Sequence, residues 1–214
     1  MSQMYNQNQS QQQQPRRTGS TQQQAPVQGG QPAPQQFQTR SYLSQNVRTE
    51  SIQRLNRCLA DSIVIQSQAK YAHWNVKGLH FFPLHELFDE IAEEFEDHVD
   101  EIAERITSLG GQAIGTTYTA ASASNIPPLS TSAVTGVEFI EMLADRIAMH
   151  DANLSQDIQA ATQSGDVDTA DMLNEISREV GEQRWFLEAH LQGPPVQNEP
   201  VQGRSQTTQL SQSQ

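Results

Sequence analysis

Only one cysteine, Cys58, occurs among 214 residues, so no intrachain disulfide can form. It falls among apolar residues that recur at helical spacing, which points to a small core side chain and not to a reactive thiol. Long apolar runs are missing as well. No stretch approaches the roughly 20 residues that a bilayer-spanning helix needs, and the N-terminus has no apolar signal-peptide core. A soluble, cytoplasmic protein without a membrane partner is the expectation. Hydrophobic residues make up only 35% of the chain, low for a uniformly globular protein, and the shortage sits at the two ends. Residues 1–41 and 192–214 are built from Gln, Pro, Gly, Ser and Thr, with few large aliphatic side chains. Such segments cannot bury enough apolar surface to offset the entropy of ordering them. Two disordered tails are therefore expected around one domain over residues 42–191.

Positive charge is scarce too. Residues 1–48 hold Arg16, Arg17, Arg40 and Arg48 and no acid, and the charges of Glu199 and Arg204 cancel in the C-terminal tail. Taking that +4 from the total of −12 leaves −16 on the central body. So acidic a body attracts cations and repels nucleic acid within about a Debye length.

What is present is helical periodicity. A first helix is predicted over about 42–75, where Leu43, Val47, Ile52, Leu55, Leu59 and Ile63 recur at three- to five-residue spacing. A second is predicted from near Pro83, a favourable first-turn residue, to the stop at Gly110 and Gly111. Residues 112–134 lose the pattern, are rich in Thr, Ser and Ala, and contain Pro127 and Pro128, so they read as a long connection. A third helix is predicted over about 135–163 and a fourth over about 167–191, stopped by Gly193, Pro194 and Pro195. No strand run and no internal repeat interrupts this order. Two helices, a long crossover between helices 2 and 3, and two more helices make an all-α, ferritin-like four-helix bundle.

The chemistry concentrates on the second helix. His85 and Asp89 form one i,i+4 pair near its start, and Asp100 and Glu104 form another near its end. At about 100° per residue, Asp100 and Glu104 lie roughly 60° and 100° around from His85, so all four face one side. Their pair centres are about 22 Å apart along the axis, too far for one metal site on one helix. A second copy of the helix, antiparallel across a two-fold axis near residues 94 and 95, would set each 85/89 pair opposite a 100/104 pair. His73, at the end of the first helix, could complete each site. Imidazole and carboxylate together suit borderline divalent cations. The Glu-x-x-His signature of intrachain di-iron bundles is absent, since no histidine has Glu three residues before it. Each element alone has a plainer meaning: an acidic stripe is more often a solvated face than a site. The combination of two facing pairs with a third histidine raises the case.

The segments "AHWNVKG", "LHELFDE" and "DHVDEIAERITSLGG", with the later "DTADMLNEISREVGEQRWFLEAHL", resemble the Dps family of mini-ferritins over about residues 45–191. The resemblance implies a hollow homo-dodecamer. It implies a ferroxidase that oxidises Fe(II), with hydrogen peroxide as the usual oxidant, stores ferric mineral and protects against oxidative stress. It maps the iron ligands onto His73, His85 and Asp89 from one subunit and Asp100 and Glu104 from its partner. Trp74 would line the site, with packing at the interface as its plainer role. Asp166, Asp171 and Glu175 would correspond to an acidic three-fold entry pore, although helix-start acids also interact with the helix dipole without any pore. The chemistry leaves zinc at or near the same site open. His80, His98, His150 and His190 carry no assigned role, and His98, beside Asp97, is expected at the surface. A nucleoid-associated, DNA-binding architectural role is the alternative. The N-terminal segment holds no lysine, so DNA binding is expected to be weak or absent at physiological salt.

Overall fold

A computed structural model describes residues 35–193; residues 1–34 and 194–214, which carry most of the two expected tails, lie outside the described residues. Within 35–193 the chain forms five helices: α1 (Gln45–Asn75), α2 (Phe81–Ser108), α3 (Thr117–Ala123), α4 (Gly136–Ser164) and α5 (Val167–Leu191). α1 packs along α2 and α4 along α5, and α1 also meets α4. Short connections make each pair antiparallel.

Local chemistry sets the helix ends. Ser44 caps α1, its Oγ accepting the Val47 N–H. Thr135 and Glu138 close a reciprocal capping box at the start of α4. Gly165 ends α4 at φ 80°, a left-handed conformation that glycine adopts without a Cβ clash. One residue later, Asp166 caps α5. His80 precedes α2 without a side-chain cap, and Pro83 stands in the first turn, where its missing N–H costs nothing.

The core is a continuous apolar stripe drawn from the four long helices. Phe88, Phe95 and Phe139 are its largest fully buried side chains, and Phe139 meets both Tyr71 and Phe88 edge-on, with centroids 6.1 and 6.2 Å away. Cys58 belongs to this stripe. Burial, then the nearby Asp157 and Asp61, push its thiol pKa well above the ordinary value. Since the thiolate is the nucleophile, native Cys58 should resist a thiol reagent such as DTNB near neutral pH and titrate only after denaturation. Stoichiometric labelling of the native protein within minutes would contradict this burial.

The crossover differs from the expected plain connection, because it contains α3. Thr116 caps that short helix, and Ala120 is buried against the bundle. The segment is not free of the body either. Asp61 Oδ1 accepts hydrogen bonds from Ser124 Oγ and the Asn125 N–H. Arg146 donates to the Pro127 and Pro128 carbonyls at 3.0 and 2.7 Å, and Gln68 also donates to Pro127. The Lys77 N–H donates to the Val134 carbonyl, so the link ends beside the α1–α2 turn. It has thus returned along the bundle, as a crossover of this kind must.

At the opposite end, Gly110 has φ 86° and lies against the Phe37 carbonyl and the Thr39 methyl. The Phe37 N–H donates to the Gly110 carbonyl at 2.6 Å. A side chain there meets both an unfavourable backbone region and filled space. Gly110→Ala should cost about 1–2 kcal/mol from the backbone alone, and more once residues 37–39 are displaced. Urea unfolding at fixed protein concentration measures it, and an unchanged midpoint would refute the close packing.

Candidate metal centre

His73 and His85 come together where α1 ends and α2 begins. Their rings stack with centroids 3.7 Å apart and 17° between planes. Phe81 stacks on the outer side of His85, with centroids 5.1 Å apart. The two imidazoles are held by a reciprocal pair of bonds: His73 Nδ1 to the His85 carbonyl at 2.7 Å, and His85 Nδ1 to the His73 carbonyl at 2.9 Å. A carbonyl oxygen can only accept, so each Nδ1 carries a hydrogen. In the neutral ring the lone pair then belongs to Nε2. This is how metal-binding imidazoles are oriented: a backbone acceptor fixes the tautomer, and the other nitrogen is left for a cation.

Asp89, one turn along α2 from His85, completes this half. Its Oδ1 lies 3.9 Å from His73 Nδ1 and is ion-paired with Lys70. The Lys70 hydrogen bond is the main cause lowering the Asp89 pKa; burial opposes it, and His73 adds to it. The Asp89 carboxylate is therefore anionic and already faces positive charge. Sequence reasoning missed Lys70 and Phe81. Lys70 lies three residues before His73, on the same helical face, and that spacing was the available signal.

Asp100 and Glu104 are exposed on the same side of α2, and neither carboxylate has a hydrogen-bond or ion-pair partner among the described residues. One chain therefore brings together His73, His85 and Asp89, and leaves Asp100 and Glu104 well along the helix. Trp74 is 68% exposed, and among the described residues the ring stacked on the histidine pair is Phe81.

The other singled-out residues separate. Asp171 and Glu175 are exposed one turn apart on α5. Asp166 is not available to a channel. It is fully buried and accepts from Ser51 Oγ, Thr169 Oγ1 and Arg105 Nη2 at 2.6, 2.7 and 2.6 Å. Its place is explained by helix capping and an internal ion pair. His98, expected at the surface, is buried instead, because its position on α2 falls with Phe95 and Ile102 on the core face. His150 is also fully buried, and desolvation, followed by the nearby His98, pushes its pKa down to about 3, so it stays neutral. His80 and His190 are exposed. No helix among the described residues is long and apolar enough to cross a membrane.

Comparison with known proteins agrees with this architecture. The family described as "Ferritin-like domain" matches residues 52–194. A "DNA protection during starvation protein" of Agrobacterium fabrum is 33% identical over 154 residues, covering 72% of this chain and 95% of that relative. Among solved structures, DpsC from Streptomyces coelicolor aligns with a TM-score of 0.72 and 29% identity, covering 75% of this chain and 94% of that one. A Dps protein from Vibrio cholerae O1, described as a member of a broad superfamily of ferritin-like diiron-carboxylate proteins, aligns with a TM-score of 0.67 and 27% identity. It covers 70% of this chain and 93% of that one.

Proposed function

The chain belongs to the ferritin-like family, in its Dps branch, and from that premise we propose that it is a mini-ferritin with ferroxidase activity. It binds Fe(II), oxidises it with hydrogen peroxide, and stores the ferric product in a shell of twelve subunits. The observation that carries this reading is the locked pair His73 and His85, both presenting Nε2, with the anionic Asp89 beside them.

The site is half of a whole. A partner helix running antiparallel to α2 brings Asp100 and Glu104 across to the 73/85/89 half, and the symmetry makes two such sites per dimer. Imidazole holds Fe(II), and carboxylates favour the more highly charged Fe(III). Two ferrous ions each give one electron to one hydrogen peroxide. The O–O bond breaks and two hydroxides form, so no hydroxyl radical is released. On arrival, iron displaces the Lys70 ammonium from Asp89. Trp74, exposed in the single chain, packs at this interface. Asp171 and Glu175, repeated three times around a three-fold axis, draw cations through a pore.

Protection against oxidative stress follows from removing peroxide and Fe(II) together, in a bacterial cytoplasm. DNA binding is weak, because the body carries −16 and the N-terminal segment only +4. The experiment is anaerobic addition of Fe(II) and peroxide to the full chain, followed by ferric absorbance and native mass. Ferric iron should co-elute with a particle of about twelve subunits, with near two Fe(II) consumed per peroxide. Oxidation no faster than in buffer would reject the assignment.

A further inference from the structure

α2 carries a second ligand-bearing face. Glu94 lies nine residues from His85, about half a turn around the helix from it, and roughly 13 Å along the axis. It therefore points away from the ferroxidase face and toward α5. There Glu94, His98 and Glu179 converge, each offering a ligand atom within 4.8 Å of the others. His98 Nε2 is 2.9 Å from Glu179 Oε2 and 3.8 Å from Glu94 Oε1, and the His98 side chain is 2% exposed. We propose that Glu94, His98 and Glu179 form a second divalent transition-metal site within one subunit, clamping α2 to α5.

Charge balance points the same way. Asp89, Asp151, Asp157 and Asp166 each meet a lysine or arginine: Lys70, Arg184, Arg54 and Arg105. Glu94 and Glu179 have no such partner among the described residues, and only the imidazole stands between them. One Nε2–H can serve one of the two carboxylates well, and it serves Glu179. Glu94 is left beside a like charge. One nearly buried imidazole therefore faces two half-exposed carboxylates from two helices. His98 Nδ1 is buried without a partner among the described residues, so an ion taking Nε2 would leave the ring hydrogen on Nδ1 without a protein acceptor.

The geometry accommodates an ion. Ligand bonds of about 2.0–2.2 Å require ligand atoms no more than about 4.4 Å apart. Glu94 and Glu179 are half-exposed, so small side-chain rotations reach that spacing while the buried imidazole stays fixed. One nitrogen and two carboxylates suit Zn(II), Fe(II) or Mn(II) and disfavour a hard, all-oxygen preference such as Mg(II) or Ca(II).

Zn(II) is the suitable probe, because it is not oxidised and cannot mineralise. Crystals of the full-length protein soaked in Zn(II) should give an anomalous peak between α2 and α5, apart from any peak at His73 and His85. Glu94→Gln with Glu179→Gln keeps side-chain size and should remove that peak, while the shell mass and the peak at His73 and His85 stay unchanged. No peak between α2 and α5 in the parent, or a peak that survives both substitutions, would overturn the proposal. Neither result bears on the ferroxidase assignment, which the peak at His73 and His85 reads separately.

Discussion

Peroxide-dependent Fe(II) oxidation should fall by a factor of about 100 or more when His73→Ala and Asp100→Asn are combined. Loss of a single supporting partner around a metal commonly costs 10–100-fold in metal affinity, and this variant removes one direct ligand from each half of the proposed site. His73→Ala also removes the ring stacked on His85. The His85 carbonyl loses its donor, while His85 Nδ1 keeps the His73 carbonyl, which is main chain. Phe81 remains stacked on His85, so the fold at the α1–α2 turn should survive. Initial rates of ferric absorbance at equal protein measure the effect. A rate within threefold of the parent would place the oxidation elsewhere in the molecule.

The largest stability effect should come from Asp166→Ala. Asp166 is fully buried and is the shared acceptor for Ser51, Thr169 and Arg105, so its removal takes the close ion-pair partner from Arg105, which keeps its Thr169 bond, and uncaps α5. Breaking a buried pair by deleting one partner costs about 3–5 kcal/mol. The pH dependence has a defined sign. Burial on its own raises the Asp166 pKa, but the bonds from Ser51, Thr169 and Arg105 outweigh it, and the net shift is below the ordinary 3.8. A depressed folded pKa means the contribution is complete above 3.8 and is lost as pH falls through the folded value. Urea midpoints at fixed protein concentration, compared between pH 3 and pH 7, should drop more steeply for the parent than for Asp166→Ala. Parallel pH profiles would show that the carboxylate carries little of the acid sensitivity.

This residue also shows what could and could not be read from the sequence. The helix-start acid was visible at Asp166, but both a dipole acid and a pore acid fit that position. Only packing decides between them, because Ser51 and Arg105 come from α1 and α2, far away along the chain. His98 is the same kind of case. Its neighbour Asp97 suggested the surface, yet its own register on α2 puts it with Phe95 and Ile102. Periodicity over the whole helix was a better guide than the adjacent residue. The long helices were legible because their apolar spacing and their stops are local signals. α1 begins at Gln45 rather than near 42 because the Ser44 cap, not the apolar pattern, sets its start. α3 was not legible: its seven residues are mostly Thr, Ser and Ala without an apolar stripe, and its helicity rests on the Thr116 cap and on packing against α1. At the candidate metal centre, the proposed ligands were named from spacing and resemblance. The stacked rings, the crossed Nδ1 bonds and Lys70 needed the folded α1–α2 turn.

The central claim is that each oxidation site is built from two chains. Two inactive variants test it directly: one carrying His85→Ala and Asp89→Asn, the other Asp100→Asn and Glu104→Gln. In a mixed dimer, one of the two sites receives both damaged halves and the other receives none. Co-assembly at equal amounts should therefore restore about one quarter of the parent's sites, by random pairing across a two-fold axis. Fe(II) oxidation by the mixture at that level, with each variant silent alone, is the expected result. A co-assembled mixture as inactive as its components would contradict a shared site.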